Sequence, residues 1–176
     1  MSGFIVGLIV GLAAAGILVL VFVYARLRGA FTFASGRERL GYRKVIVATI
    51  DRPFSKDAIA LASGMAGRKG ILETFYVVEI PLDRPFDTGG EQELASGMDA
   101  LEKAERIARR YGVRPIPRME KARLGSKKVV EVQKGEDFDA VVLYLQESAK
   151  SERDDRKIIE YVQANATCPV VVITGR

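Results

Sequence analysis

The chain has 176 residues, 48% of them hydrophobic, with 27 Lys plus Arg against 22 Asp plus Glu. That length suits one domain with an appendage, and the composition excludes wholesale disorder. There is no His and a single cysteine, Cys168, which excludes Ser-His-Asp and Cys-His catalysis, His-ligated zinc and any disulfide within the chain.

The formal net charge of +5 is concentrated rather than spread. Residues 1–25 carry no charged side chain, and residues 26–44 place Arg26, Arg28, Arg37, Arg39, Arg43 and Lys44 against Glu38. The other 21 of the 27 basic residues are matched by 21 of the 22 acidic ones. A basic excess confined to a short segment behind an apolar run is a membrane pattern, so no nucleic-acid partner is expected.

Phe4 to Ala25 is 22 residues without a charge, and as a helix it would measure roughly 33 Å, enough to cross a hydrocarbon core of about 30 Å. Met1-Ser2-Gly3 carries no basic residue and the run is longer than an h-region, which favours an anchor over a cleaved signal peptide. The charges flank only its C-terminal end, so the positive-inside rule puts the N-terminus outside and the remainder in the cytoplasm. The expected organisation is a transmembrane helix over 1–25, a basic juxtamembrane linker over 26–43 and an α/β domain over 44–176. Gly3, Gly7, Gly11 and Ala15 recur every four residues, a small-residue face that would pack against a like helix or a larger membrane protein.

From Lys44 on, strand and helix patterns alternate. Val45 to Ile50 is a β-rich run ending at Asp51, and Ser55 is a natural N-cap for a helix carrying Ala58, Ile59, Ala62, Met65 and Ala66. Ile71 to Ile80 reads as a second strand. Leu94, Met98, Leu101, Ala104, Ile107, Ala108 and Tyr111 mark one stripe of a long helix that Gly112 would stop. Val113 to Ala122 reads as a third strand, confined to an edge because Pro115 and Pro117 cannot donate to a ladder. Gly125 to Lys134 reads as a short helix, Asp139 to Tyr144 as a buried strand, Asp154 onward as a last helix and Pro169 to Ile173 as a last strand. The βαβαβαβαβ order predicts a mainly parallel, doubly wound sheet with helices on both faces. Ligands of such sheets bind beyond the carboxyl ends of the strands, where strand order reverses.

Three segments carry a family resemblance: Lys44 to Asp51 with its Ser-capped helix, Phe138 to Leu143, and Ala166-Thr167-Cys168-Pro169-Val170-Val171-Val172. On these, residues 44–174 resemble the universal stress protein (UspA-like) family. The resemblance implies a five-stranded sheet in the order 3-2-1-4-5, and homodimerisation through the last strand, Val170, Val171, Val172 and Ile173. Many members bind ATP through G-x2-G-x9-G-(S/T) between strand four and the last helix, where glycines let backbone N–H groups approach phosphate. Here Tyr144 and Glu147 replace the first two glycines, Arg156-Lys157 falls about where Gly-(Ser/Thr) would stand, and no glycine occurs between. Asp51 matches the family residue that faces the nucleotide. The expectation is that the ATP motif is absent and no cofactor is held. Asp51, Tyr144, Arg156 and Lys157 remain the positions to inspect for a degenerate nucleotide site, with Glu152, Asp154 and Asp155 read alongside Arg156 and Lys157 as a solvated first turn.

Asp-Arg-Pro-Phe occurs twice, at 51–54 and 83–86, each time after a strand. Arg52, Phe54, Arg84 and Phe86 are thus candidates for a partner-docking rim, with the two rings as exposed anchors. Cys168 reads as a small buried hydrophobe. Lacking a nucleophile–base pair and a metal cluster, the chain is not expected to be an enzyme. The expected role is a regulatory or accessory subunit on the cytoplasmic face of a membrane complex or transporter. The alternative is a membrane-tethered sensor of a nucleotide or small anion.

Overall fold

The computed structural model describes residues 42–87, 91–146 and 152–175. The expected membrane helix over 1–25, with Gly3, Gly7, Gly11 and Ala15, and the linker up to residue 41 lie outside them. Among the described residues, no helix is long and apolar enough to cross a membrane.

Five strands, β1 (Lys44–Ile50), β2 (Ile71–Glu79), β3 (Ile116–Ala122), β4 (Ala140–Gln146) and β5 (Val170–Gly175), form one sheet in the order β3-β2-β1-β4-β5. Every pairing is parallel, with Val45 opposite both Leu72 and Ala140. The helices between them are α1 (Lys56–Ala66), α2 (Glu91–Arg110), α3 (Gly125–Gly135) and α4 (Glu152–Asn165).

Strand β1 shows why the sheet is covered on both sides. Val45 and Val47 enter a core with Ile59 and Ala62 of α1 and Ala104 and Ala108 of α2. Ile46 and Ala48, pointing the other way, enter a second core with Val129 of α3 and Ile159 and Val162 of α4. A strand with both faces buried needs an unbroken apolar run instead of an alternating one.

Three local expectations are corrected. The third strand starts at Ile116 and not at Val113, because the Val113 N–H donates to the Ala108 carbonyl at 3.2 Å and finishes the turn that ends α2, while Gly112 takes φ 74°. Helix α2 buries Leu101, Ala104 and Ala108 of the expected stripe and packs Leu94 and Ile107 against the cores, but not Met98 and Tyr111. Its buried residues are Gly97, Ala100, Leu101, Ala104 and Ala108, whereas Met98 is 65% exposed and Tyr111 48%. Small residues face inward because the sheet comes close: a Cβ on Gly97 would lie 2.6 Å from Met119 Sδ and 2.8 Å from the Tyr76 ring. The last helix begins at Glu152, two residues before the expected start.

Gly125 is a second close approach, and it shapes the rim. Its N–H donates to Glu79 Oε2 at 2.7 Å, and a Cβ there would meet two Ile50 methyl carbons at 2.7 and 2.8 Å. Overpacking a closed contact costs about 1–3 kcal/mol, so Gly125→Val is expected to lower the unfolding free energy by that amount, read from the denaturation midpoint and slope. An unchanged midpoint would show that α3 can shift freely.

Candidate functional site

In the order β3-β2-β1-β4-β5, chain progression reverses between β1 and β4, so the carboxyl ends of these strands splay their connections to opposite sides. A crevice of about 310 Å3 opens there, at the small end of the range for ligand pockets. Ala48 to Ile50 of β1, Leu143 and Tyr144 of β4, and Ile158 and Ile159 of α4 supply its walls. The start of α1 closes one side with Phe54, Ser55 and Lys56.

Ser55 stands at the N-cap position with extended backbone (φ −68°, ψ 136°), but its side chain makes no capping bond. Its carbonyl accepts the Ile59 N–H at 3.1 Å, and the residue lines the crevice. The expectation of a side-chain cap is thus corrected.

Polar chemistry in the crevice centres on Arg52 and Asp155. Arg52 Nη1 donates to the Asp155 carboxylate at 2.6 Å, within bonding distance of both oxygens. Asp155 is the fourth residue of α4 and only 6% exposed, which corrects its reading as part of a solvated first turn. A carboxylate in the first turn of a helix gains from the dipole and here also from a direct cation.

Of the four positions inspected for a degenerate nucleotide site, only Tyr144 lines the crevice. Its ring lies along β5, where a Cβ on Gly175 would meet Tyr144 Oη at 2.5 Å. Asp51 adopts φ 51°, and its carboxylate is spent on β2, accepting the Glu79 N–H at 3.1 and 3.3 Å. Desolvation pushes the Asp51 carboxyl pKa up, the Glu79 N–H pulls against it, and the Glu79 and Glu93 carboxylates push it up further. Arg156 and Lys157 are exposed on α4 and lie outside the crevice lining.

The four docking candidates do not form one exposed patch, which corrects that expectation. Arg52 is held by Asp155, and Phe54 is half-buried, edge-on to Tyr76 with ring centroids 6.4 Å apart. Arg84 pairs with Glu93 at 3.3 Å. Phe86 is 39% exposed and lies under the Arg123 guanidinium, 5.3 Å from the ring centre. Arg123 also donates to the carbonyls of Ile80, Pro81 and Arg84, so the second Asp-Arg-Pro-Phe loop is clamped to β3. The first copy instead builds the crevice.

Val170 to Ile173 lie at the sheet edge and are half-buried. Cys168 is half-buried as well. Burial pushes its thiol pKa up, and the Asp139 carboxylate pushes it further, the opposite of what a reactive thiol needs. Among the described residues, no group of three or more His, Cys, Asp or Glu could hold a metal ion. Arg52 was singled out for docking and Asp155 as part of a solvated turn, neither for this crevice; their pairing spans 103 residues and has no local signal.

Solved structures share this fold at low identity. A universal stress protein from Archaeoglobus fulgidus in complex with dAMP is 18% identical, with a TM-score of 0.57 over 75% of this chain and 98% of that one. UspA from Lactobacillus plantarum is 16% identical, with a TM-score of 0.58 over 74% and 98%. A universal stress protein in complex with cAMP is 17% identical, with a TM-score of 0.55 over 77% and 98%. No curated protein matches the sequence. The sequence pattern of the universal stress protein family matches residues 41–174, which takes in all five strands and all four helices up to Thr174 in the last of them, and on that match the chain belongs to the universal stress protein family.

Proposed function

We propose that this chain is a membrane-tethered regulatory domain that takes an adenine nucleoside or its monophosphate in the switch-point crevice. It does not hold a triphosphate, and it acts through protein contacts on the cytoplasmic face of a membrane complex, catalysing no reaction. The crevice at the ends of β1 and β4 carries this reading, with apolar walls from both strands and α4 and polar groups at Arg52, Ser55 and Lys56. The dAMP and cAMP complexes of similarly folded proteins support the ligand class. The glycine-free stretch from Tyr144 to Lys157 supports the exclusion of a triphosphate, because a Cβ at each position keeps the backbone N–H groups away from a phosphate chain. The tether rests on the uncharged run Phe4 to Ala25 and the arginines behind it. Homodimerisation through Val170, Val171, Val172 and Ile173 fits an apolar edge strand that needs cover.

Calorimetry on the full-length protein in mild detergent tests the ligand. Adenosine and AMP should bind saturably, and ATP about tenfold more weakly or not at all, a gap of roughly 1.4 kcal/mol. Tighter binding of ATP than of AMP would overturn the exclusion of a triphosphate, and no binding of any of the three would overturn the ligand class.

A further inference from the structure

The ion pair in the crevice is placed where an anionic ligand would look for its own partner. Arg52 and Asp155 both line the crevice, and they bridge the loop after β1 to the first turn of α4. Asp155 is buried, while 37% of the Arg52 side chain is exposed. The positive end of the α4 dipole and the guanidinium thus already face a carboxylate that the chain itself supplies. A phosphate reaching for Arg52 must either displace that carboxylate, leaving a buried charge without its arginine, or settle beside it and be repelled.

We propose that Asp155 sets the charge class of the ligand. Held on Arg52, its carboxylate fills the anion position, so the crevice accepts the uncharged nucleoside portion of a ligand and gains nothing from a phosphate. This rests on the reading that the crevice takes a nucleoside-type ligand. Any change that neutralises Asp155 or moves α4 away from Arg52 hands the guanidinium to the phosphate and converts the crevice from a nucleoside site to a nucleotide site. Arg52 and Asp155 therefore act as a specificity pair rather than as a stability pair alone.

The test compares the full-length protein with Asp155→Asn, Arg52→Gln and the double variant, using adenosine, AMP and inorganic phosphate as probes. In the unsubstituted protein, adenosine and AMP should bind within about threefold of each other. Asp155→Asn should bind AMP about tenfold more tightly, a gain of roughly 1.4 kcal/mol, with adenosine unchanged, and the double variant should lose the gain. Arg52→Gln, which keeps the carboxylate without its cation, should weaken AMP about tenfold relative to adenosine. A folded Asp155→Asn protein with unchanged AMP affinity overturns the proposal. Should Asp155→Asn fail to fold, an unchanged AMP-to-adenosine ratio in Arg52→Gln overturns it instead. If neither adenosine nor AMP binds any variant, the nucleoside reading fails and inorganic phosphate decides. Phosphate raising the melting temperature of Asp155→Asn but not of the unsubstituted protein supports the anion position, and an equal response of the two overturns it.

Discussion

Phe75→Ala is expected to remove about 3–5 kcal/mol of stability, the usual cost of truncating a fully buried ring. Phe75 has no exposed surface and sits in the second core with Val77, Val129 and Leu143. It occupies the middle of β2, directly opposite Ala48 on one side and Arg118 on the other. Ala48 leaves space that the ring fills, and Arg118 closes the outer side, its guanidinium 5.4 Å from the ring centre. Neither neighbour can collapse into the void, because Ala48 is short and Arg118 is held by carboxylates. A domain with only about 5–15 kcal/mol of total stability would be left marginal. Urea denaturation of the full-length protein checks this, reading midpoint and slope together. Phe75→Leu should retain more than half of what Phe75→Ala loses. A loss under about 1 kcal/mol for the alanine variant would mean that the second core repacks.

The sheet was legible in the sequence because its evidence is local. Val45 to Ala48, Val141 to Leu143 and Val170 to Ile173 are short apolar runs, and the alternation with helices leaves few topologies for a parallel sheet. Pro117 placed the third strand at an edge by the same logic, and it does lie at the edge. What failed was also local evidence, weighed by size instead of fit. Met98 looks like a core residue from its spacing, yet Gly97 beside it faces the sheet, because only a residue without a side chain fits against Tyr76 and Met119.

The site was legible in outline only. Its location follows from strand order, which periodicity and resemblance supply together. Its chemistry depends on which charged residues turn inward, and a charge-rich helix start gives no sign of that. Asp155 stands between Asp154 and Arg156 in a run that reads as solvated, and the approach of Arg52 from a distant loop helps to make its burial tolerable. Gln133 is a parallel case. Almost fully buried in α3, it accepts the Thr167 N–H at 3.1 Å and donates to Thr167 Oγ1 at 2.9 Å, fixing the approach to β5. A polar side chain buried for one long-range partner leaves no periodic trace.

Arg118→Ala should cost about 2–3 kcal/mol near pH 7, below the full cost of breaking a buried pair because part of the cluster is open to water. The deficit should shrink on acidification. From edge strand β3, Arg118 reaches Glu120 at 2.5 Å and Glu73 at 3.4 Å, and also pairs with Glu136. Lys128 holds Glu120 at 2.8 Å and Lys44 holds Glu136 at 2.9 Å. Burial pushes the Glu120 carboxyl pKa up, but Lys128 and Arg118 outweigh it and leave it lowered. Lys44 and Arg118 likewise lower Glu136. A lowered carboxyl stabilises the fold above its unfolded value, 4.5 for a glutamate, and loses that contribution as pH falls through the folded value. Glu73 runs the other way. Burial and the Glu136 carboxylate raise it, with Arg118 opposing, so without Arg118 it rises further and destabilises the fold most at pH values where it must ionise. The share of Glu73 fades first on acidification and that of Glu120 and Glu136 only as pH falls below 4.5, so the variant's deficit is greatest near neutrality and smaller by about pH 3. Urea denaturation at the two pH values, with Arg118→Met as a control that keeps the aliphatic cover over Phe75, separates charge from packing. A deficit of equal size at both pH values, absent from the methionine variant, would assign the role of Arg118 to packing over the ring and remove the carboxylates from the account.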